Sequence, residues 1–95
     1  MKKFRKYEQS AQTKWNTTVG RQYLQSTALT RCAKCGLGYG LTVDHIKPKS
    51  RYPKLAQDVT NIQWLCVFKC HPRKTSVEKS EGFTNDKFLK GEYDL

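Results

Sequence analysis

Residues 32–45 read CAKCGLGYGLTVDH. Two cysteines separated by two residues open the stretch, and an adjacent acid and histidine close it. The glycines and the Cys-x2-Cys predict a tight knuckle that turns both sulfurs inward. Residues 41–43 predict a short strand that ends at Asp44 and His45. On its own an Asp-His pair is weak evidence of chemistry. What lies further along the chain decides how this stretch is read.

Thirty residues on, CVFKCH supplies Cys66 and Cys70 as a Cys-x3-Cys pair, followed directly by His71. Two such clusters in one small domain predict a closed tetrahedral site of four thiolates, Cys32, Cys35, Cys66 and Cys70, holding a structural Zn2+. Two disulfides are the alternative. The chain lacks an apolar run long enough for a membrane span or a signal-peptide core, so a reducing cytoplasm is the expected setting. Thiols that stay reduced favour the metal. Four thiolates leave no open coordination position, so this zinc is expected to staple the fold and not to catalyse.

A chain of 95 residues with 37% hydrophobic content makes one small domain with a modest core, which a metal would reinforce. The formal net charge is +10, unevenly spread. Residues 1–31 carry seven Lys/Arg against one acid, residues 32–77 eight against two, and residues 78–95 three against five. A basic body of this size points to nucleic acid as the partner and away from a membrane. Solubility alone is the bland explanation.

Local signals fill in the remaining elements. Residues 1–15 hold Phe4, Tyr7, Ala11 and Trp15 at loosely helical spacing, equally compatible with an arm packed by aromatics. Asn16 or Thr17 can cap a helix over about residues 17–28, on which Val19, Tyr23, Leu24 and Ala28 recur at helical spacing. Residues 46–60, with Pro48 and Pro53, read as a loop. Residues 62–65 predict a second strand, introduced by Asn61. Pro72 suits the first turn of a helix over about 72–80, ended by Gly82. Residues 82–95 read as an acidic tail with one short helix near 86–90.

The order is therefore knuckle, strand, Asp-His, loop, Asn, strand, knuckle with His, helix. With CAKCG, LTVDHIKPKSR, TNIQWLC and CHPRKT, and the tryptophan of KWNTTVGRQYL before the first helix, the chain resembles the HNH endonuclease family. The resemblance covers about residues 14–76. It implies an α+β fold, a zinc-stapled ββα-metal core over residues 32–81, preceded by a helix within a basic N-terminal segment, residues 1–31. It also implies a DNA endonuclease in which His45 is the general base and Asn61 orients the loop carrying it. Asp44 and His71 would hold a catalytic divalent ion, Mg2+ or Mn2+ or another. One such site cuts one strand, so a monomer is expected to nick. Small stand-alone members are often phage-encoded, sometimes beside packaging genes, which makes phage packaging proteins an implied partner. A zinc-ribbon DNA-binding module without catalysis explains the charge and the cysteines equally well but leaves the Asp44, His45, Asn61 and His71 order to chance.

Imidazole suits the base role because its ordinary pKa lies near neutrality. Adjacent strand residues face opposite ways, so Asp44 and His45 can serve one centre only if the strand ends or bends there. Lys47, Lys49, Arg51, Arg73 and Lys74 are the expected phosphate contacts, with weak sequence preference, since such contacts carry no base information. One departure stands out. CVFKCH has one residue more than the Cys-x2-Cys-His usual in similar proteins, which moves His71 one position further from Asn61.

Overall fold

The fold is described by a computed structural model covering residues 10–94. It begins with a helical rod: α1 (Ala11–Trp15), a π-helical segment (Asn16–Gly20) and α2 (Arg21–Ser26), with helical backbone through both joints. The rod starts well before the expected residue 17. Ser10 is its cap, with Oγ accepting the Thr13 N–H at 3.0 Å. Asn16 and Thr17 are not caps. Asn16 accepts from Gln12, and Thr17 Oγ1 donates back to the Thr13 carbonyl, as short polar side chains do within helices. The aromatics Phe4 and Tyr7 lie outside the described residues.

β1 (Leu41–His45) and β2 (Ile62–Cys66) form a two-stranded antiparallel sheet, with Leu41 opposite Cys66 and His45 opposite Ile62. All of β2 is buried because both faces of the sheet are covered. Ile62 and Trp64 join Val43 and Leu24 beneath the rod, and the Trp64 indole N–H donates to the Leu29 carbonyl. Gly20 lets the rod approach this face: a Cβ there would meet Trp15, Ile62 and Val43 at 3.3–3.5 Å. On the other face Leu65 joins the cysteines, Phe83 and Phe88.

That second face is closed by α3 (Cys70–Val77) and α4 (Asn85–Leu89). α3 begins two residues before Pro72, so the proline sits in the first turn, where its missing N–H leaves no bond unmade. It ends at Val77 and not at Gly82, whose φ of +76° serves the turn before Phe83. The segment expected as an acidic tail is part of the core. Phe83 and Phe88 are buried, and Lys34 Nζ bonds the Phe88 carbonyl and Asp94 Oδ2, each at 2.9 Å. Among the described residues no helix is long and apolar enough to cross a membrane.

Candidate metal and active site

The two ends of the sheet carry the chemistry. At the Leu41–Cys66 end, one ligand sulfur from each of Cys32, Cys35, Cys66 and Cys70 lies within 4.8 Å of every other, and Cys35 and Cys66 are 3.8 Å apart. A tetrahedral zinc with Zn–S bonds of about 2.3 Å sets its sulfurs about 3.8 Å apart, so the set fits such an ion. None of the four is in a disulfide. The extra residue in CVFKCH is absorbed as a wider knuckle. Val67, Phe68 and Lys69 bulge into solvent, while Cys66 stays paired with Leu41 at the end of the strand. The bulge folds over Gly40, to whose carbonyl Val67 N–H donates at 2.8 Å. Gly40 has φ +63°, and a Cβ there would come within 2.2 Å of the Phe68 ring.

The four thiols are not equivalent. Burial pushes the Cys66 thiol up, but the N–H groups of Cys70 and Lys69 aimed at its sulfur outweigh this and bring it down to about 6. At Cys32 burial is likewise outweighed by backbone N–H groups, which lower it. Cys70 moves the other way: burial raises it, and the crowding sulfurs of Cys32, Cys35 and Cys66 raise it further. A cation among the sulfurs removes that penalty, because it replaces the proton as the charge they share.

At the other end, a cleft of about 290 Å³ runs round the end of β1. Asp44, His45, Lys49, His71 and Glu78 line it, with Asn16 from the rod. Asp44 sits on the α3 face opposite Gln63, and His45 on the rod face opposite Ile62. The cleft reaches both because His45 is the last residue of the strand. Asp44 Oδ2 is engaged by Lys74 Nζ at 2.5 Å and Gln63 Nε2 at 3.0 Å. Its Oδ1 lies 3.9 Å from His71 Nε2. That spacing lies between the about 3.0 Å of neighbouring and about 4.2 Å of opposed ligands of an octahedral ion with bonds of about 2.1 Å, so the two atoms are of the right type for a divalent cation but would shift a little to hold one. Burial lifts the Glu78 carboxyl above its ordinary value; Lys74 opposes the rise and Asp44 adds to it.

The hydrogen bonds define the His45 ring. Nε2 lies 2.7 Å from the Ala56 carbonyl, which only accepts, so Nε2 carries the hydrogen and Nδ1 holds the lone pair. Gln12 Nε2 approaches the same nitrogen at 3.4 Å, but its two hydrogens are taken by Ala56 O and Asn16 Oδ1. Trp15 backs the ring at a centroid distance of 6.4 Å. Asn61 closes the loop that follows. Its Oδ1 accepts from Lys47 N at 2.9 Å, its amide donates to the carbonyls of Lys47 and Leu55, and its own carbonyl accepts from Ile46 N.

Thus Asp44, His45, His71 and Lys49 meet at one cleft, with Asn61 behind it. Lys47 stands over the Tyr52 ring at 5.4 Å, and Arg51 is exposed. Arg73 is exposed on the opposite side of α3, beside Lys34, Lys69 and Cys35. Lys74 corrects the expectation of a phosphate contact. Its side chain is 0% exposed, because it lies one turn after Cys70 on the inward stripe of α3. Gln12, Asn16, Gln63 and Glu78 were not anticipated. The signal for Glu78 was its spacing, seven residues after His71, which puts both on one helix face.

A family model described as HNH endonuclease matches residues 30–76. Residues 30–76 belong to the HNH endonuclease family. The HNH match begins just before the first knuckle and ends within α3, so it spans both strands, both cysteine pairs and all of the cleft lining except Asn16 and Glu78. The rod and α4 lie outside the matched HNH stretch and complete its core from either face. No curated protein and no solved structure matches the chain.

Proposed function

We propose that the protein is a metal-dependent DNA endonuclease that nicks as a monomer, with His45 as general base. The observation that carries this reading is the cleft that His45 lines together with Asp44 and His71, with Nε2 bound to the Ala56 carbonyl and Nδ1 without a hydrogen bond among the described residues. Water attacks phosphorus opposite the leaving 3′ oxygen; its proton passes to Nδ1 as the P–O3′ bond breaks, and the 3′ oxygen, leaving with the bonding pair, takes up a proton from solvent. The Ala56 carbonyl, accepting from Nε2–H, steadies the imidazolium that forms and keeps the ring aimed. Asn61 holds the loop from Ile46 to Lys47 so that this aim persists. A divalent ion held by Asp44 Oδ1 and His71 Nε2 would supply Lewis-acid stabilisation of the scissile phosphate and the leaving oxygen.

The four-cysteine group is proposed to hold zinc as a structural ion. Lys49 at the cleft, with Lys47, Arg51 and Arg73 on the surface, would grip phosphates with weak sequence preference. A reducing cytoplasm suits the four thiolates, and phage packaging proteins remain the partner that the family context suggests.

The test is supercoiled plasmid incubated with Mg2+, with Mn2+ and with chelator. Relaxed circles should accumulate with a divalent ion and not with chelator. Plasmid that is bound and retarded but never cut would leave a zinc-stapled DNA-binding module as the function.

A further inference from the structure

The buried Lys74 presents a problem that the proposed mechanism does not use. An ammonium has three hydrogens to donate and is expensive to bury without partners. Here it has four acceptors within reach: Asp44 Oδ2 at 2.5 Å, the His45 carbonyl, the Ile46 carbonyl at 3.5 Å and Glu78 Oε2 at 3.5 Å. An apolar side chain would suffice if the task were only to pack α3 on the sheet. Two features of the arrangement call for a donor here.

The first is the carboxylate. Oδ2 of Asp44 is bound by Lys74 and by Gln63, and Gln63 is itself locked to Asn85 by two hydrogen bonds of 2.9 and 3.2 Å. With Oδ2 held by buried donors, Oδ1 is the oxygen turned to His71. The second is the backbone. Successive carbonyls of a regular strand point to opposite sides. Those of His45 and Ile46 both reach one ammonium, so the chain turns out of the strand immediately after His45. This is the bend that lets residues on opposite sheet faces serve one cleft.

We propose that Lys74 is a positioning residue that sets the Asp44 carboxylate and the His45 backbone together, through one ammonium on the far side of both from the cleft. The inference rests on the nuclease reading for its consequence in catalysis, but its geometric content can be read without DNA. The chain has only two histidines, His45 and His71, so ring-nitrogen NMR spectra are simple to assign.

The experiment compares wild type, Lys74→Met and Lys74→Gln, each checked for zinc content and a cooperative melt. Ring spectra, Mn2+ titration of the DNA-free protein and plasmid cleavage are then measured. In wild type His45 should show the Nε2–H tautomer, and Mn2+ should broaden the His71 ring first. In Lys74→Met the His45 ring should average between tautomers, the Mn2+ midpoint should rise at least about tenfold, and cleavage should fall at least about 100-fold. Lys74→Gln, which keeps donors for the carbonyls but not the charge, should recover the His45 tautomer and only part of the Mn2+ affinity. A folded Lys74→Met with wild-type ring signals, Mn2+ midpoint and cleavage would overturn the proposal. So would loss of the fold in both variants, which would make Lys74 a stability residue only. If wild type cuts nothing with any ion, the nuclease reading fails, while the ring spectra and the Mn2+ titration still decide the role of Lys74.

Discussion

The two ends of the β1–β2 sheet, about 13 Å apart at about 3.3 Å per residue, treat polar atoms in opposite ways. At the cysteine end every functional atom points at its fellows. Four sulfurs converge, three of the four cysteines are buried, and nothing is left over for a substrate. At the cleft end Asp44 and His45 each have one atom bound by the protein and one without a hydrogen bond among the described residues. Asp44 gives Oδ2 to Lys74 and Gln63 and keeps Oδ1; His45 gives Nε2 to Ala56 and keeps Nδ1. A closed set can hold a fold together, and a half-satisfied set can do chemistry. α3 serves both ends from adjacent residues, since Cys70 faces the sulfurs while His71 faces the cleft.

The largest expected effect lies at the closed end. Removing its metal should abolish cooperative unfolding, because structural zinc in small domains is worth about 10–16 kcal/mol of apparent binding energy. Metal analysis should give one zinc per chain. A protein with far less zinc that still melts cooperatively would show that the sulfurs do not staple the fold, and the contrast between the ends would collapse.

At the open end, His45→Ala should leave zinc content, melting and DNA binding intact while cleavage falls about 10²–10⁴-fold. Single-turnover nicking by the folded variant is the measurement. Wild-type turnover would remove Nδ1 from the mechanism and reduce the cleft to a binding site. Loss of zinc in the same variant would show that the two ends are not independent.

The smallest effect belongs to the surface beside the cysteine end. Arg73→Ala should weaken binding to two unrelated duplexes equally and flatten the slope of log affinity against log salt by about one unit. Binding measured across a salt series decides it. A loss on one duplex only would mean that Arg73 reads bases, and no change would make it a solvated residue.

Much of the site was legible because its information is local. Cysteine spacing dictates which sulfurs can share a turn, and the Asp44, His45, Asn61, His71 order is a linear pattern. Both strands were legible to within two residues, since alternation and bounding loops are local too. The rod's start was missed because Ser10, an ordinary residue in a polar stretch, caps it, while Asn16 and Thr17 resemble caps but bond within the helix.

Charge misled where burial overrules it. In the sequence Arg73 and Lys74 are two equivalent cations, yet one is exposed and the other lies inside against Asp44. The spacing held a clue: Cys70 must face the sulfurs, so Lys74, one turn on, shares its side of the helix. That clue does not decide the matter alone, because a lysine is rarely buried without a partner, and its partner lies thirty residues away on β1. The acidic tail was misjudged for a similar reason, since Phe83 and Phe88 matter more than the charges around them.

By itself, then, the sequence determined the candidate residues, their order and the two strands, because bond reach and side-chain periodicity act over a few residues. Only the tertiary structure decided which oxygen of Asp44 and which nitrogen of His45 stay open. That choice depends on donors and acceptors from Lys74, Gln63 and Ala56, which meet only when helix, strand and loop pack together.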